Sequence, residues 1–220
     1  MFVYKILMTF IKTIYFNFRC FDLKNAIIMP VIVSYKVKLI GIKRGCILIK
    51  TSDKKRFMIK IGFNGSFFVS NATSSLCIRE NGKMVFNGNA VFGEGINIFL
   101  NGGVLDIGNN FYANRNLLIQ CEKKIKIGND CLIGWNVSIR DTNGNHTVIK
   151  NGIENNNKGE IVLKNHVWIA SDVLILSNTM VGNDNIIATR SMVKGLKSDC
   201  NKLIAGSPAS IKEGTYAWEN

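Results

Sequence analysis

The feature that most constrains the fold is an aliphatic residue at every sixth position of the C-terminal half. These positions are Leu163, Ile169, Ile175, Val181, Ile187 and Val193, and the same spacing occurs upstream at Ile127, Ile133 and Ile139. A glycine or alanine often follows the aliphatic residue, as at 128, 134, 170, 182 and 188. Neither the 3.6-residue period of a helix nor the two-residue period of a strand produces this spacing.

A strict six-residue repeat is typical of a parallel β-helix with three flat faces. Each hexapeptide supplies one short strand and one corner, and three of them complete a coil of about 18 residues. The aliphatic side chains then point into the prism and stack from coil to coil. Pairs of Asn and Asp at 109–110, 129–130 and 183–184 suit the corners, because both residues tolerate the left-handed backbone conformation. The sequence therefore predicts an all-β solenoid.

Interruptions of the repeat predict the domain organisation. The register is blurred over 61–125, and residues 140–160 are polar and break the repeat completely. We therefore expect a β-helix domain over 61–220, with an extruded loop at 140–160 and a C-terminal tail at 196–220. Residues 1–60 are expected to form a separate basic extension. Loops on a rigid scaffold commonly carry function, so the loop is the first place to look for chemistry.

The charge of the chain is concentrated in its first 60 residues. That segment holds 13 basic and two acidic residues, a net charge of +11, whereas the other 15 basic and 13 acidic residues give +2. Such a segment suggests an anionic partner, either nucleic acid or membrane headgroups. No known nucleic-acid-binding motif is present, which disfavours nucleic acid as a partner.

The N-terminal stretch from Met1 to Phe18 is apolar and aromatic, but Lys5 and Lys12 interrupt it. Its uncharged runs are far shorter than the roughly 20 residues that a spanning helix needs. No secretory cleavage site follows. We expect an amphipathic helix that lies on a membrane or on the protein's own body, in a cytoplasmic protein that is either free or peripheral at the inner membrane face. The six cysteines lack C-x-x-C spacing, which gives no support for a zinc site, and we expect them to be reduced and mostly buried.

Four segments together resemble the hexapeptide-repeat acyltransferases. They are Ile127-Gly-Asn-Asp-Cys-Leu-Ile-Gly-Trp135, Asp141-Thr-Asn-Gly-Asn-His146, Asn165-His-Val-Trp-Ile-Ala-Ser171 and Gly206-Ser-Pro-Ala209. Their order resembles the maltose and galactoside acetyltransferase branch, and the chain is most similar to bacterial capsule and O-antigen O-acetyltransferases. The resemblance covers roughly residues 80–215. It implies a left-handed parallel β-helix, a homotrimer, and acetyl-CoA bound between neighbouring subunits, with no metal required.

The resemblance also assigns a catalytic residue. His146 matches the position of the family's catalytic histidine, and an imidazole suits the removal of a proton from a sugar hydroxyl near pH 7. Asp141, which we also count among the acceptor-binding residues, or a backbone carbonyl is expected to orient it. His166, the other histidine, is read as structural or exposed.

Further site residues follow from the same resemblance. Asn114 and Glu122 match acceptor-binding positions, although the second is normally Asp and both can equally be polar corner residues. Coenzyme-binding positions are matched by Trp168, Ser171, Thr189, Lys194 and Lys212. Trp168 can instead serve packing alone, and Lys212 is expected to replace a basic residue that the family's tail motif has where this chain has Ser210. A backbone N–H near residue 189 is expected to hold the thioester oxygen.

Three functions remain open at this point. The first is an acetyl-CoA-dependent O-acetyltransferase acting on a saccharide, in capsule or O-antigen polysaccharide synthesis, with a polymeric or lipid-linked acceptor favoured by the basic N-terminus. The second keeps this chemistry but takes a small acceptor such as a free sugar, serine or a xenobiotic. The third is a non-catalytic β-solenoid scaffold.

Overall fold

A computed structural model describes residues 2–63, 72–144, 148–151, 153–155 and 158–219. Two helices open the chain, α1 (Phe2–Cys20) and α2 (Leu23–Ile28). Consecutive strands after α2 then join three different parallel sheets in turn, which is the topology of a triangular coil. The fold is a left-handed parallel β-helix: the six-residue repeat predicts the parallel solenoid, and the family resemblance implies its hand.

We call the three sheets faces A, B and C. Face A contains, in spatial order, β1 (Val31–Val33), β4 (Ile59–Ile61), β7 (Ala90–Phe92), β10 (Phe111–Ala113), β13 (Leu132–Ile133), β18 (Trp168–Ile169), β21 (Ile186–Ile187), β23 (Leu203–Gly206) and β24 (Ala209–Ile211). The last of these pairs antiparallel to β23.

Face B contains β2 (Val37–Ile40), β5 (Ser74–Arg79), β8 (Asn97–Asn101), β11 (Leu118–Cys121), β14 (Ser138–Arg140), β19 (Leu174–Leu176) and β22 (Met192–Val193). Face C contains β3 (Ile47–Ile49), β6 (Lys83–Phe86), β9 (Val104–Ile107), β12 (Lys124–Ile127), β17 (Ile161–Leu163) and β20 (Thr179–Val181). A separate antiparallel hairpin, β15 (Val148–Lys150) and β16 (Ile153–Asn155), lies within the segment that breaks the repeat.

The six-residue repeat is the core of the prism. All six residues of the run from Leu163 to Val193 are fully buried; five of them end a strand, and Ile175 is the central residue of β19. The strand register has the matching period, since Trp168 of β18 pairs with Ile186 of β21, which is one coil of 18 residues later. The side chains of one coil therefore stack on those of the next.

Asparagines explain how the corners hold together. The side-chain oxygens of Asn109, Asn129, Asn165 and Asn183 each accept the backbone N–H of the equivalent asparagine one coil earlier, at 2.8 to 3.0 Å. The next residue at these corners has positive φ, as Asn110 and Asp130 do. A side chain that bonds its neighbouring coil and tolerates this conformation stabilises every turn of the solenoid.

The coils begin earlier than the sequence boundary at residue 61 suggests. β1 pairs with β4, and β4 pairs with β7, so residues 31–61 already form the first coil and the start of the second. The basic segment is therefore two helices plus an integral part of the solenoid. Its lysines occupy outward positions, as Lys60 does between buried Ile59 and Ile61.

Helix α1 closes the open end of the solenoid. Thr13 accepts the backbone N–H of Val33 at 3.1 Å, and Asn17 donates to the carbonyl of Val31 at 2.7 Å, so both satisfy the free edge of β1. Lys12 reaches the carbonyls of Tyr35 and Val37, and Arg19 donates to that of Ile42. None of the helices in the described residues is long and apolar enough to cross a bilayer.

All six cysteines are free thiols, as expected. Four of them are buried: Cys20, Cys46, Cys121 and Cys131. Burial raises the pKa of the Cys131 thiol to about 11, which keeps it neutral and unreactive at physiological pH.

Candidate functional site

A groove of about 260 Å³ lies at the corner that follows face A. Its walls come from four successive coils, because β10 pairs with β13, β13 with β18, and β18 with β21. The residues directly after these strands are stacked beside it. The lining residues are Asn114, Leu132, Gly134, Trp135, Trp168, Ala170, Ser171 and Thr189.

Small residues give the groove its shape. A Cβ on Gly134 would lie 2.8 Å from the carbonyl carbon of Ala170, so the close stacking of these two coils excludes a side chain there. Gly134 donates its N–H to Ile169 at 2.7 Å, and Ala170 donates to Ile187 at 2.9 Å. The result is a narrow channel with backbone at its floor and indole rings from Trp135 and Trp168 among its lining residues.

The polar groups of the groove are few and specific. The side-chain oxygen of Asn114 is buried and has no hydrogen-bond partner among the described residues. Ser171 accepts the backbone N–H of Trp135 through its hydroxyl at 3.2 Å. Thr189 is exposed at the rim. An apolar channel with an unsatisfied amide fits a slender ligand that carries its own amide or hydroxyl groups.

The backbone at Thr189 offers one further donor. The neighbouring N–H groups of Ala188 and Arg190 donate to the carbonyls of Ile204 and Ser171, at 2.9 and 3.1 Å. Within the part of the chain that the structure describes, the N–H of Thr189 has no such partner. It is therefore available to an acceptor atom in the groove.

A second polar cluster lies at the next corner, after face B. The Glu122 carboxylate is only 4% exposed and forms an ion pair with Lys158 at 2.6 Å. Asp141 stands beside it, where the polar loop leaves the solenoid. Glu122 and Lys158 thus hold the end of this loop against the coil.

Asp141 has a structural role in this geometry. One carboxylate oxygen accepts the N–H of Glu122 and the other accepts that of Lys123, both at 2.8 Å. The Cys121 thiol also donates to it at 3.3 Å, and burial together with this carboxylate raises the pKa of that thiol. Since Asp141 is fully buried, its assignment to acceptor binding finds no support in its contacts, which hold the corner of the coil.

The two polar clusters do not meet within one chain. Asn114 follows β10 on face A, whereas Glu122 follows β11 on face B of the same coil. The whole of β11 therefore separates them. The described part of one chain brings Asn114, Trp168, Ser171 and Thr189 together, but it leaves Glu122 at another corner.

His146 lies outside the described residues, so its role as the general base stays a prediction. The segment around it does leave the solenoid, because β14 ends at Arg140 and β17 begins at Ile161. The hairpin of β15 and β16 lies between them. The described residues between β14 and β17 thus contribute no strand to the three faces, and the extruded loop at 140–160 stays a prediction.

His166 is structural, as expected. Its Nδ1 lies 2.9 Å from the Asp184 carboxylate, and its ring stacks on Trp218 with the centroids 4.1 Å apart and the planes 9° from parallel. The Trp218 indole N–H donates to the carbonyl of His166 at 3.0 Å. The contacts of His166 with Trp218 therefore hold the C-terminal segment against the coils.

The two lysines that are expected to bind the coenzyme, Lys194 and Lys212, are exposed and are not among the residues that line the groove. Lys194 directly follows β22. Lys212 follows β24 and donates to the hydroxyl of Ser210 at 3.0 Å. Their role toward coenzyme phosphates stays a prediction.

Trp135 is a groove residue that the sequence reasoning missed. It stands two positions after Ile133, as Ser171 stands two positions after Ile169. The six-residue register places such residues one above the other at the same corner. Applied upstream of the loop, that register would have found it.

Comparison with known proteins shows similarity to acetyltransferases, although no protein-family model matches the chain. WbbJ of Escherichia coli K12, named as a lipopolysaccharide biosynthesis O-acetyl transferase, is 28% identical over 156 residues, which are 64% of this chain and 79% of that protein. The galactoside O-acetyltransferase of Escherichia coli K12 is 36% identical over 116 residues, or 51% of this chain. The chain spans about half the length of that enzyme, 55%.

Two solved structures share the fold. The polySia-specific acetyltransferase NeuO superposes with a TM-score of 0.57 over 84% of this chain and 87% of its own, at 18% identity, which speaks to fold alone. A galactoside acetyltransferase in complex with coenzyme A superposes with a TM-score of 0.50 at 26% identity, over 62% of this chain and 72% of its own.

Proposed function

We propose that this chain, a hexapeptide-repeat acyltransferase with a left-handed β-helix fold, transfers an acetyl group from acetyl-CoA to a saccharide hydroxyl in surface-polysaccharide synthesis. The observation that carries the proposal is the groove on face A. Its aromatic and backbone walls and the unsatisfied Asn114 amide suit the pantetheine arm of coenzyme A or the sugar that meets its thioester. Similarity to WbbJ and to the galactoside enzymes supports a saccharide acceptor. The need for acetyl-CoA supports a cytoplasmic location.

The reaction requires a base and an oxyanion donor. His146 takes the proton of the acceptor hydroxyl as its oxygen attacks the thioester carbonyl. The N–H of Thr189 is the candidate donor to the oxygen that becomes negative. The carbon–sulfur bond then breaks, and the coenzyme A thiolate leaves with the proton that the imidazole returns. These steps yield the acetyl ester and free coenzyme A.

The direct test is acetyl transfer with a panel of acceptors. Release of the coenzyme A thiol is followed with acetyl-CoA plus purified surface glycans, and in parallel with galactosides, serine and chloramphenicol. Release that depends on a polysaccharide would support the proposal. Release with small acceptors alone would establish the second function instead. A chain that neither binds coenzyme A nor releases thiol with any acceptor is a scaffold.

The groove predicts how bulk should affect coenzyme binding. Thr189→Trp and Ser171→Trp fill the channel beside Trp168, so each should weaken acetyl-CoA binding at least about tenfold, since a blocked pocket loses its main contacts. Isothermal titration calorimetry measures the affinity. Ser52→Trp places the same bulk on an exposed turn of the first coil and should bind normally. Unchanged affinity in both groove variants would move the coenzyme elsewhere.

We also propose a homotrimer. Asn114 and Glu122 lie at different corners of one chain, so a site that uses both needs the corner of a second subunit. Cyclic symmetry closes such an arrangement with identical interfaces. Multi-angle light scattering should give three times the 24.5 kDa chain mass. A mass of one chain at all concentrations would contradict the trimer.

A further inference from the structure

The outer face of α1 is apolar along its whole length. Val3, Tyr4, Leu7, Phe10, Ile11, Tyr15 and Phe18 are between 46% and 76% exposed. At about 100° per residue they share one side of the helix. The charged residues of this helix, Lys5, Lys12 and Arg19, follow each other at seven-residue spacing along one flank. This side is therefore an uninterrupted apolar stripe.

The opposite side of α1 contacts the solenoid. Phe16 and Cys20 are buried, and Thr13 and Asn17 bond the edge of β1. The contacts of α1 run from the β1 edge through the carbonyls of Val37 and Ile42, so the helix lies across the end of the first coil. Its apolar stripe consequently points away from the coils.

Terminal caps of solenoids normally present a polar outer surface, which keeps them soluble. The outer surface of α1, which caps this solenoid, is instead apolar. Leu23 and Ile27 of α2, 65% and 58% exposed, extend the apolar surface beside α1. An apolar surface of this extent marks an interaction site.

The charges around this surface indicate its occupant. Six exposed basic side chains lie on α2 and between the strands or on the outward side of the first coil, and we call them the basic collar: Lys24, Lys38, Lys43, Arg44, Lys50 and Arg56. The two acidic residues of the first 60 are both engaged. Asp22 caps α2 through Asn25, and Asp53 forms an ion pair with Lys55 at 3.0 Å. The collar is therefore strongly positive.

We propose that the apolar face of α1 lies in the headgroup region of an anionic lipid bilayer, with the basic collar on the lipid phosphates. An amphipathic helix in the plane of the interface, with basic residues around it, is the arrangement that binds such membranes. Apolar burial and lipid charge act together, and salt screens the second contribution. The inner face of the same helix meanwhile holds the end of the solenoid.

The test uses the full chain and sedimentation with vesicles of phosphatidylcholine, with and without phosphatidylglycerol. Wild-type protein should bind the anionic vesicles at low salt, and high salt should weaken the binding. Leu7→Gln with Ile11→Gln should reduce binding at least about tenfold, because the apolar contact is lost. Met180→Gln with Ile211→Gln changes two exposed apolar residues on other parts of the chain and should bind as wild type.

A second pair of variants tests the collar. Lys43→Gln with Arg44→Gln should weaken binding to anionic vesicles at low salt and approach wild type at high salt. Equal sedimentation of wild type and the Leu7/Ile11 variant would overturn the proposal. So would a wild-type protein that ignores the vesicles but forms larger assemblies that the Leu7/Ile11 variant loses, since a second copy would then cover the stripe.

This inference extends the proposed function, and the two can fail separately. The vesicle assay contains neither acetyl-CoA nor saccharide. A chain that binds anionic vesicles but transfers no acetyl group would refute the enzyme proposal and leave the docking surface. A chain that acetylates soluble glycans but does not bind vesicles would support the enzyme proposal and refute the membrane-docking proposal.

Discussion

His146→Ala should lower the turnover of acetyl transfer by about 10²–10⁴, the usual contribution of a general base. Acetyl-CoA affinity should change little, because the imidazole acts on the acceptor hydroxyl. The wild-type rate should rise with pH as an imidazole loses its proton, around pH 6.5, because only the neutral form accepts a proton. Initial rates across this pH range and calorimetric titration of acetyl-CoA measure both effects.

His166→Ala is the matched control for this variant. Its ring packs on Trp218 and bonds Asp184, so its loss should lower stability modestly and leave turnover near wild type. Full activity in His146→Ala together with lost activity in His166→Ala would reverse the assignment of the base.

Asp141→Ala should destabilise the fold by roughly 3 kcal/mol, because two partly buried N–H groups and a buried thiol lose a charged acceptor. For a chain of this size that is a decrease of about 6–12 °C in the apparent melting temperature. Asp141→Asn keeps one acceptor oxygen, so its melting temperature should lie between those of wild type and Asp141→Ala. Differential scanning calorimetry at fixed protein concentration measures the shift.

Asp106→Ala is the comparison for this prediction. Its carboxylate accepts from the exposed Asn87 side chain at 2.6 Å, and such an exposed bond contributes little to stability. If Asp141→Ala melts like wild type but loses only its acceptor affinity, the structural role given to Asp141 is wrong and acceptor binding is restored.

The later coils could be predicted from the sequence because their strands are short and the corners between them have a constant length. An aliphatic side chain recurs every six positions from Leu163 to Val193, a small residue follows three of the six, and each repeat contributes one strand to one face of the prism. The first coils depart from this spacing: Val31 pairs with Ile59, and Ile59 with Ala90. Segments inserted between strands hide the period.

A different signal was present in the early strands. Ile59-Lys60-Ile61 alternates buried and exposed positions, as a strand with one face inward does. The lysine content of this stretch predicts a separate basic extension. The charge is instead carried on the outward positions of the coil.

The groove could be predicted and the polar corner could not. Trp168, Ser171 and Thr189 are close in sequence to the repeat that positions them, so resemblance and register agree. The role of Asp141 depends on where backbone N–H groups of the preceding coil point, and no local pattern states that. Glu122 likewise finds Lys158 only after the loop has returned to the solenoid.

The regular strand spacing of face A fixes the distance between the cap helix and the groove. From β1 beneath the cap helix to β13 at the groove there are four strand spacings, or roughly 20 Å at about 4.8 Å each. With the cap lying on a bilayer, the groove stands at that fixed height. The sugar units next to a lipid anchor then remain below it, and only units farther along an anchored glycan reach the thioester. Deleting one coil would lower this height by about 5 Å. If both proposals hold, the number of coils would therefore determine which unit of an anchored glycan is acetylated.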